Sequence, residues 1–223
     1  MVTHVVFQSD DIFIDYTNDY HSIKAKQDLP IGKLILLEHV VHGDSQYAMG
    51  SILYSDELYH TLYPRFTDET KEKLIQEKLE MNAFNFGEFI IASTCAKFNH
   101  TCIPNCLMNI ADHYKGMKIY GVWICGKVKK GDELFIDYVN SGNHHDILRG
   151  HNIQCNCSDK NVMDNAKKAL IRHNLYQSFR EKNEAFIQNT INVYGESSIC
   201  KNVIFHQNKA KAHAKKYVKI EYI

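Results

Sequence analysis

Short apolar runs broken by polar punctuation dominate residues 4–41. His4–Phe7, Ile12–Tyr16, Ser22–Ala25 and Leu34–Val41 are rich in Val, Ile and Tyr and read as strands. Asp and Asn separate them, and Pro30-Ile31-Gly32-Lys33 reads as a turn into the last of them. From about residue 43 to 81 the pattern changes to helix. Ser55-Asp56-Glu57 and Thr67-Asp68-Glu69 resemble helix starts, with acids suited to a helix N-terminus, and Ile75 and Leu79 share a face one turn apart. Asn82-Ala83-Phe84 closes this helical insertion. Strands resume at Leu107–Ile110, Lys118–Trp123 and Glu133–Tyr138, the last preceded by the turn Lys129-Lys130-Gly131-Asp132. Residues 141–150 read as loop or short helix. Residues 161–194 carry a helical pattern, broken at Gly195-Glu196-Ser197-Ser198, and the basic run Lys209–Lys219 reads as a solvated helix face. Few helices lie between strands, which argues against a doubly wound α/β sheet and for an α+β chain.

Composition narrows this picture. A chain of 223 residues suits one domain with an appendage, or two small domains, and can bury a core without disulfides. Its 26 basic and 26 acidic residues cancel, so direct nucleic-acid binding by overall charge is not expected. No run approaches a membrane span, and the N-terminus lacks an apolar signal region, so no membrane role is expected. An intracellular, reducing setting, cytoplasmic or nuclear, is the expectation. The cysteines number seven, an odd count that argues against a complete disulfide framework, and their clustering argues for metal.

The densest chemistry is Lys97-Phe98-Asn99-His100-Thr101-Cys102-Ile103-Pro104-Asn105-Cys106. Two amides, an imidazole and two thiols around one proline exceed the needs of a surface turn. There is no P-loop, no Gly-rich dinucleotide fingerprint, no H-E-x-x-H and no G-x-S-x-G.

Asn99-His100-x-Cys102-x-Pro104-Asn105, followed by Gly131-x-Glu133-Leu134-x-x-x-Tyr138, resembles the paired signature of SET-domain protein-lysine methyltransferases, most closely the SMYD-type branch. Asn82-Ala83-Phe84 resembles the Asn-small-Phe element of that branch, and His151–Lys160 its post-SET segment. The MYND finger is missing, since residues 43–81 carry no cysteine. The resemblance implies a mostly β SET fold of small twisted sheets with a pseudoknot-like core. It implies a SET domain over 1–149, a post-SET-like segment over 150–160 and a helical C-terminal region over 161–223. It implies S-adenosylmethionine as methyl donor and a lysine-bearing protein or peptide, such as a histone, as substrate. By resemblance, His21, Ser22, Lys24, Asn82, Asn99, His100, Tyr138 and Ile153 contact the cofactor. Tyr138 is the catalytic tyrosine, and Ile136 and His151 line the lysine channel. The family's zinc site maps onto Cys102, Cys155 and Cys157. Lys160 stands at its fourth position, which leaves Cys106, Asp159 or Cys200 as a replacement.

The chain departs from the pattern at several points. Tyr20 and Ser22 replace the glycines of the first cofactor-binding element. Ile136 stands where an aromatic is common, and His151 and Ile153 replace the post-SET aromatic pair. The residues thus support two functions: an active lysine methyltransferase, or a degenerate SET module that binds a peptide or partner without turnover. A zinc-stabilised scaffold that docks a partner through its basic C-terminus is a third.

Overall fold

The computed structural model describes residues 2–17, 21–55, 82, 84–85, 89–101, 103–138 and 165–217. Four strands make the main sheet, in the order β1-β4-β10-β9, every pair antiparallel. They are β1 (His4–Gln8), β4 (Leu34–His39), β10 (Met117–Ile124) and β9 (Cys106–Tyr114). Three small sheets surround it. β2 (Ile12–Asp15) and β3 (Ser22–Ala25) form a hairpin, and β5 (Val41–Gly43), β6 (Phe84–Asn85) and β7 (Phe89–Ile91) form a second unit. The third pairs β8 (Asn99–His100) with β11 (Phe135–Ile136). Small sheets beside helices make this the expected α+β architecture.

The expected strand Leu34–Val41 divides in two. β4 stays in the main sheet, while β5 leaves it after Val40 to pair with β7. Every residue of β4 is buried, because the sheet is covered on both faces, and this explains its near-continuous apolar run. One face carries Leu36, Tyr120, Val122 and Ile124 into a cluster with Ile23, Phe98 and Leu134. The other carries Leu37, Ile119 and Trp123 against Phe179, Ile187 and Ile191 of the C-terminal helices.

Three α-helices are described: α1 (Ser45–Tyr54), α2 (Asn165–Glu196) and α3 (Ser198–Tyr217). Asp44 caps α1, its carboxylate accepting the Tyr47 N–H at 2.7 Å, and Ser55 is its C-cap. The expected helix start at Ser55-Asp56-Glu57 runs into residues outside those described. The second expected start, at Thr67, and the Ile75/Leu79 face lie outside the described residues. α1 packs so closely on α3 that a Cβ at Gly50 would meet the Ala214 Cβ at 2.7 Å. The expected break between the C-terminal helices falls at Ser197. Its hydroxyl donates to the Tyr194 carbonyl and accepts the Cys200 N–H at 3.0 Å, ending one helix and capping the next. Among the described residues, no helix is long and apolar enough to cross a membrane.

Polar side chains tie the helices to the sheet. Gln207 of α3 donates to the carbonyls of Val2 at 2.7 Å and Val40 at 3.2 Å. Tyr176 of α2 donates to Ile110 O at 2.6 Å and Arg180 Nε to Ala111 O at 3.0 Å, covering the outer edge of β9. His39 sits fully buried between Tyr194 and Met117, with Nδ1 2.6 Å from the Tyr194 hydroxyl and Nε2 3.1 Å from the Met117 sulfur. A thioether only accepts, so Nε2 carries the proton and Nδ1 accepts from the tyrosine. The imidazole is thus held neutral in its native place.

Burial, reinforced by the nearby His4 and His42, pushes the His39 pKa down to about 4. Between that value and the ordinary 6.5, the unfolded chain binds a proton that the native chain refuses. The contribution of His39 to stability is therefore complete above pH 6.5 and drains away as pH falls toward 4. The loss is about 3 kcal/mol at 1.36 kcal/mol per unit. Urea unfolding at pH 7 and pH 4.5 should show most of this loss, about 2.5 kcal/mol, and His39→Gln should remove that share of the difference between them.

Candidate active site

The two sequence motifs meet as a parallel strand pair. Asn99 lies opposite Phe135 and His100 opposite Ile136, and the Thr101 N–H extends the pairing to Ile136 O at 3.1 Å. Parallel pairing of segments this far apart requires the chain between them to loop out and return, which β9 and β10 do. Asn105 locks the register. Its amide nitrogen donates to Glu133 O at 2.9 Å while its oxygen accepts the Phe135 N–H at 2.8 Å, so the side chain imitates a strand partner. Asn105 is a structural determinant that the sequence marks only as part of the first motif.

The second motif is held from its other side by β3. Gly131 turns the chain at φ 87°, a conformation that favours glycine. Its N–H bonds Ala25 O at 2.8 Å, the Ala25 N–H bonds Asp132 O at 3.0 Å, and the Leu134 N–H bonds Ile23 O at 2.7 Å. Residues 131–136 therefore run between β3 and β8, and most of this segment is not a regular strand because its partners change along its length. This arrangement brings His21, Ser22, Lys24, Asn99, His100, Ile136 and Tyr138 into one region.

Asn99 sits at the junction. Its amide nitrogen donates to Glu133 Oε1 at 2.6 Å and to His21 O at 3.3 Å. Both partners are acceptors, which fixes the orientation of the amide and leaves its oxygen turned the other way. His21 packs edge to face on Tyr16, and burial together with the Lys97 charge pushes its imidazole toward the neutral form. Lys24 spends its ammonium on Asp15 at 2.6 Å, which holds the Asp15 carboxyl at about 2. Any ligand contact of the Lys24 side chain would compete with that ion pair. Ser22 is buried and pairs with Asp15 in register, and Asn82 is buried as well.

Tyr138 closes the region. Its hydroxyl donates to Phe98 O at 2.6 Å and its N–H donates to His100 Nδ1 at 3.1 Å. Its ring packs against Phe84 and His100, with centroids 5.7 Å and 5.2 Å away. Burial, then the Glu133 charge, pushes the phenol well above its ordinary range, so it is protonated at neutral pH. A phenol whose proton points at a carbonyl keeps its oxygen lone pairs for an incoming donor. Ile136 is buried in the core against which Tyr138 packs.

Sequence reasoning passed over three residues. Glu38 is fully buried in β4, and its carboxylate accepts from the N–H groups of Ser93 (2.7 Å), Thr94 (3.0 Å) and Cys95 (2.7 Å) and from the Ser93 hydroxyl (2.8 Å). Those residues open the 3-10 turn Cys95–Lys97 that leads into Asn99. An acid within an apolar strand was the available signal. Lys97 is 7% exposed, bonds the Ser93 carbonyl, and has its ammonium pushed toward neutrality by burial against the opposing pull of Glu38. Asp137 is buried and ion-paired to Arg172 of α2, with its other oxygen 3.7 Å from His100 Nδ1.

His151, Ile153 and the zinc candidates Cys102, Cys155, Cys157 and Asp159 lie outside the described residues. Among the described residues, no group of three metal ligands occurs. Cys106 lies in the core, and burial holds its thiol well above its ordinary range. Cys200 is buried at the corner of α2 and α3, its thiol likewise pushed up by burial.

A SET domain-containing protein of Acanthamoeba polyphaga mimivirus is 25% identical over 216 residues, covering 91% of this chain. The chain spans 66% of that relative, just under two thirds of its length. A solved Plasmodium falciparum structure described as a histone methyltransferase is 16% identical and covers 60% of this chain and 96% of its own, with a TM-score of 0.37. The SET domain family model matches residues 21–139, just over half of the chain and the whole stretch from His21 through both motifs to Tyr138. With its two motifs paired as β8 and β11 around Tyr138, this chain belongs to the SET-domain family.

Proposed function

We propose that the protein transfers a methyl group from S-adenosylmethionine to a lysine side chain of a protein or peptide, a histone tail being one candidate. The observation that carries this reading is Tyr138, a neutral phenol bonded to Phe98 O beside the paired motifs. The donor supplies an electrophilic methyl group on a sulfonium. An amino-acid ligand carrying both an ammonium and a carboxylate fits the residues present. The Asn99 amide oxygen can accept from the ammonium.

The chain's remaining task is to deliver a neutral amine in line. A lysine with pKa about 10.4 costs roughly 4.6 kcal/mol to deprotonate at pH 7. A desolvated channel and a neighbouring cation both lower that cost. The phenol oxygen of Tyr138 accepts one N–H of the amine and so turns its lone pair away, toward the methyl donor. Aligning two bound reactants supplies about 7–11 kcal/mol of the barrier, so no strong base is required. Asn82 and Ser22 complete the cofactor side in this reading, with Ile153; Ile136 and His151 belong to the lysine channel. The Asn82–Phe84 element, with Phe84 packed on Tyr138, supports the SMYD-type branch.

Methyl transfer to a histone mixture, compared with Tyr138→Phe, tests the reading. Losing the phenol oxygen should lower kcat by about a hundredfold, roughly 2.7 kcal/mol, while cofactor affinity stays within about threefold. A fully active Tyr138→Phe removes the assigned role, and a wild type that binds cofactor without transferring a methyl is the binding module instead. The same reading places a structural zinc on Cys102, Cys155 and Cys157 with a fourth ligand such as Cys106. Metal analysis should then find about one zinc per chain, and a content well below that removes the zinc.

A further inference from the structure

The family match ends at residue 139, yet α2, which begins at Asn165, sends a side chain into the site. Arg172 meets the Asp137 carboxylate, which is 2% exposed and sits between β11 and Tyr138. The same carboxylate lies 3.7 Å from His100 Nδ1, the atom that accepts the Tyr138 N–H. A buried carboxylate needs a charged partner, and a guanidinium is well shaped to hold one in a fixed direction. Arg172 is not held there by the pair alone. Tyr176 and Arg180, one and two turns further on, bond the edge carbonyls of β9, and Asn183 Nδ2 reaches Gly32 O at 3.0 Å. One face of α2 is thus fastened along the main sheet, and its leading end holds the residue next to the tyrosine.

We propose that Arg172 is a positioning residue for Tyr138: through Asp137 it fixes the end of β11, so that the Tyr138 N–H stays on His100 and the phenol stays on Phe98 O. The C-terminal helix is then a working part of the active centre rather than an appendage. The catalytic consequence rests on the function proposed above, but the positioning does not, and it can be read without turnover.

Amide hydrogen exchange of Tyr138 provides that readout, because its N–H is bonded to His100. In Arg172→Ala it should exchange about tenfold faster or more, while the Leu134 amide, held by β3, keeps its protection. Arg172→Lys, which keeps the charge but loses the fork, should fall between the two. Arg180→Ala removes an α2 anchor remote from Tyr138 and should leave the Tyr138 amide as in the wild type. In the transfer assay, Arg172→Ala should lower kcat about tenfold with the cofactor KM within about threefold, since a small misplacement costs rate rather than binding. Unchanged Tyr138 exchange in Arg172→Ala overturns the proposal, and so does equal acceleration in Arg180→Ala. If Arg172→Ala does not fold, Arg172→Lys against Arg180→Ala decides it on the same amide. A wild type without transfer activity would defeat the functional reading alone, because the exchange result still stands.

Discussion

A single buried carboxylate links the main sheet to the site. Glu38 lies near the end of β4, with no exposure, and its carboxylate accepts from Ser93, Thr94 and Cys95. A buried charge is tolerated only when it is fully bonded, so the turn and the strand are bound to one geometry. That turn is the one from which Phe98, Asn99 and His100 emerge. Phe98 then supplies the carbonyl that holds the Tyr138 phenol, and His100 the nitrogen that holds its N–H. The apolar residues on either side of the sheet provide the bulk of the burial. Glu38 converts that burial into a fixed position for the first motif.

The second motif is anchored from several sides. It is short, is regular only at Phe135–Ile136, and is held by neighbours on both sides. β3 takes it by backbone bonds, and Asn105 takes it by a side chain that completes the ladder. Arg172 holds its far end from a third direction. The site is thus built where four separate parts of the chain converge. This matches a chemistry of alignment, in which position matters more than acid or base strength.

The paired motifs were legible in the sequence because their residue types are unusual in those combinations, and their meeting as β8 and β11 follows. The strand pattern was legible too, since alternating or continuous apolar runs show how many faces are buried. Glu38 was visible only as a charge in the wrong place; its partners come from a distant turn, which periodicity does not reveal. Arg172 gave no local signal, because helix residues of that kind are usually solvated. Only the docking of α2 along β9 selects it. The helical insertion expected from about residue 43 opens with α1, which Asp44 caps through the Tyr47 N–H. The cluster of Cys155 and Cys157 with Cys102 lies outside the described residues, so its reading is the one the sequence supports.

Cofactor binding tests the central claim most directly. Calorimetric titration of the wild-type chain with S-adenosylmethionine should show saturable binding at one site. Asn99→Ala, which removes the amide at the junction of the two motifs and β3, should weaken it about tenfold or more, roughly 1.4 kcal/mol. No binding by the wild type at millimolar ligand, or equal affinity in Asn99→Ala, would contradict the account.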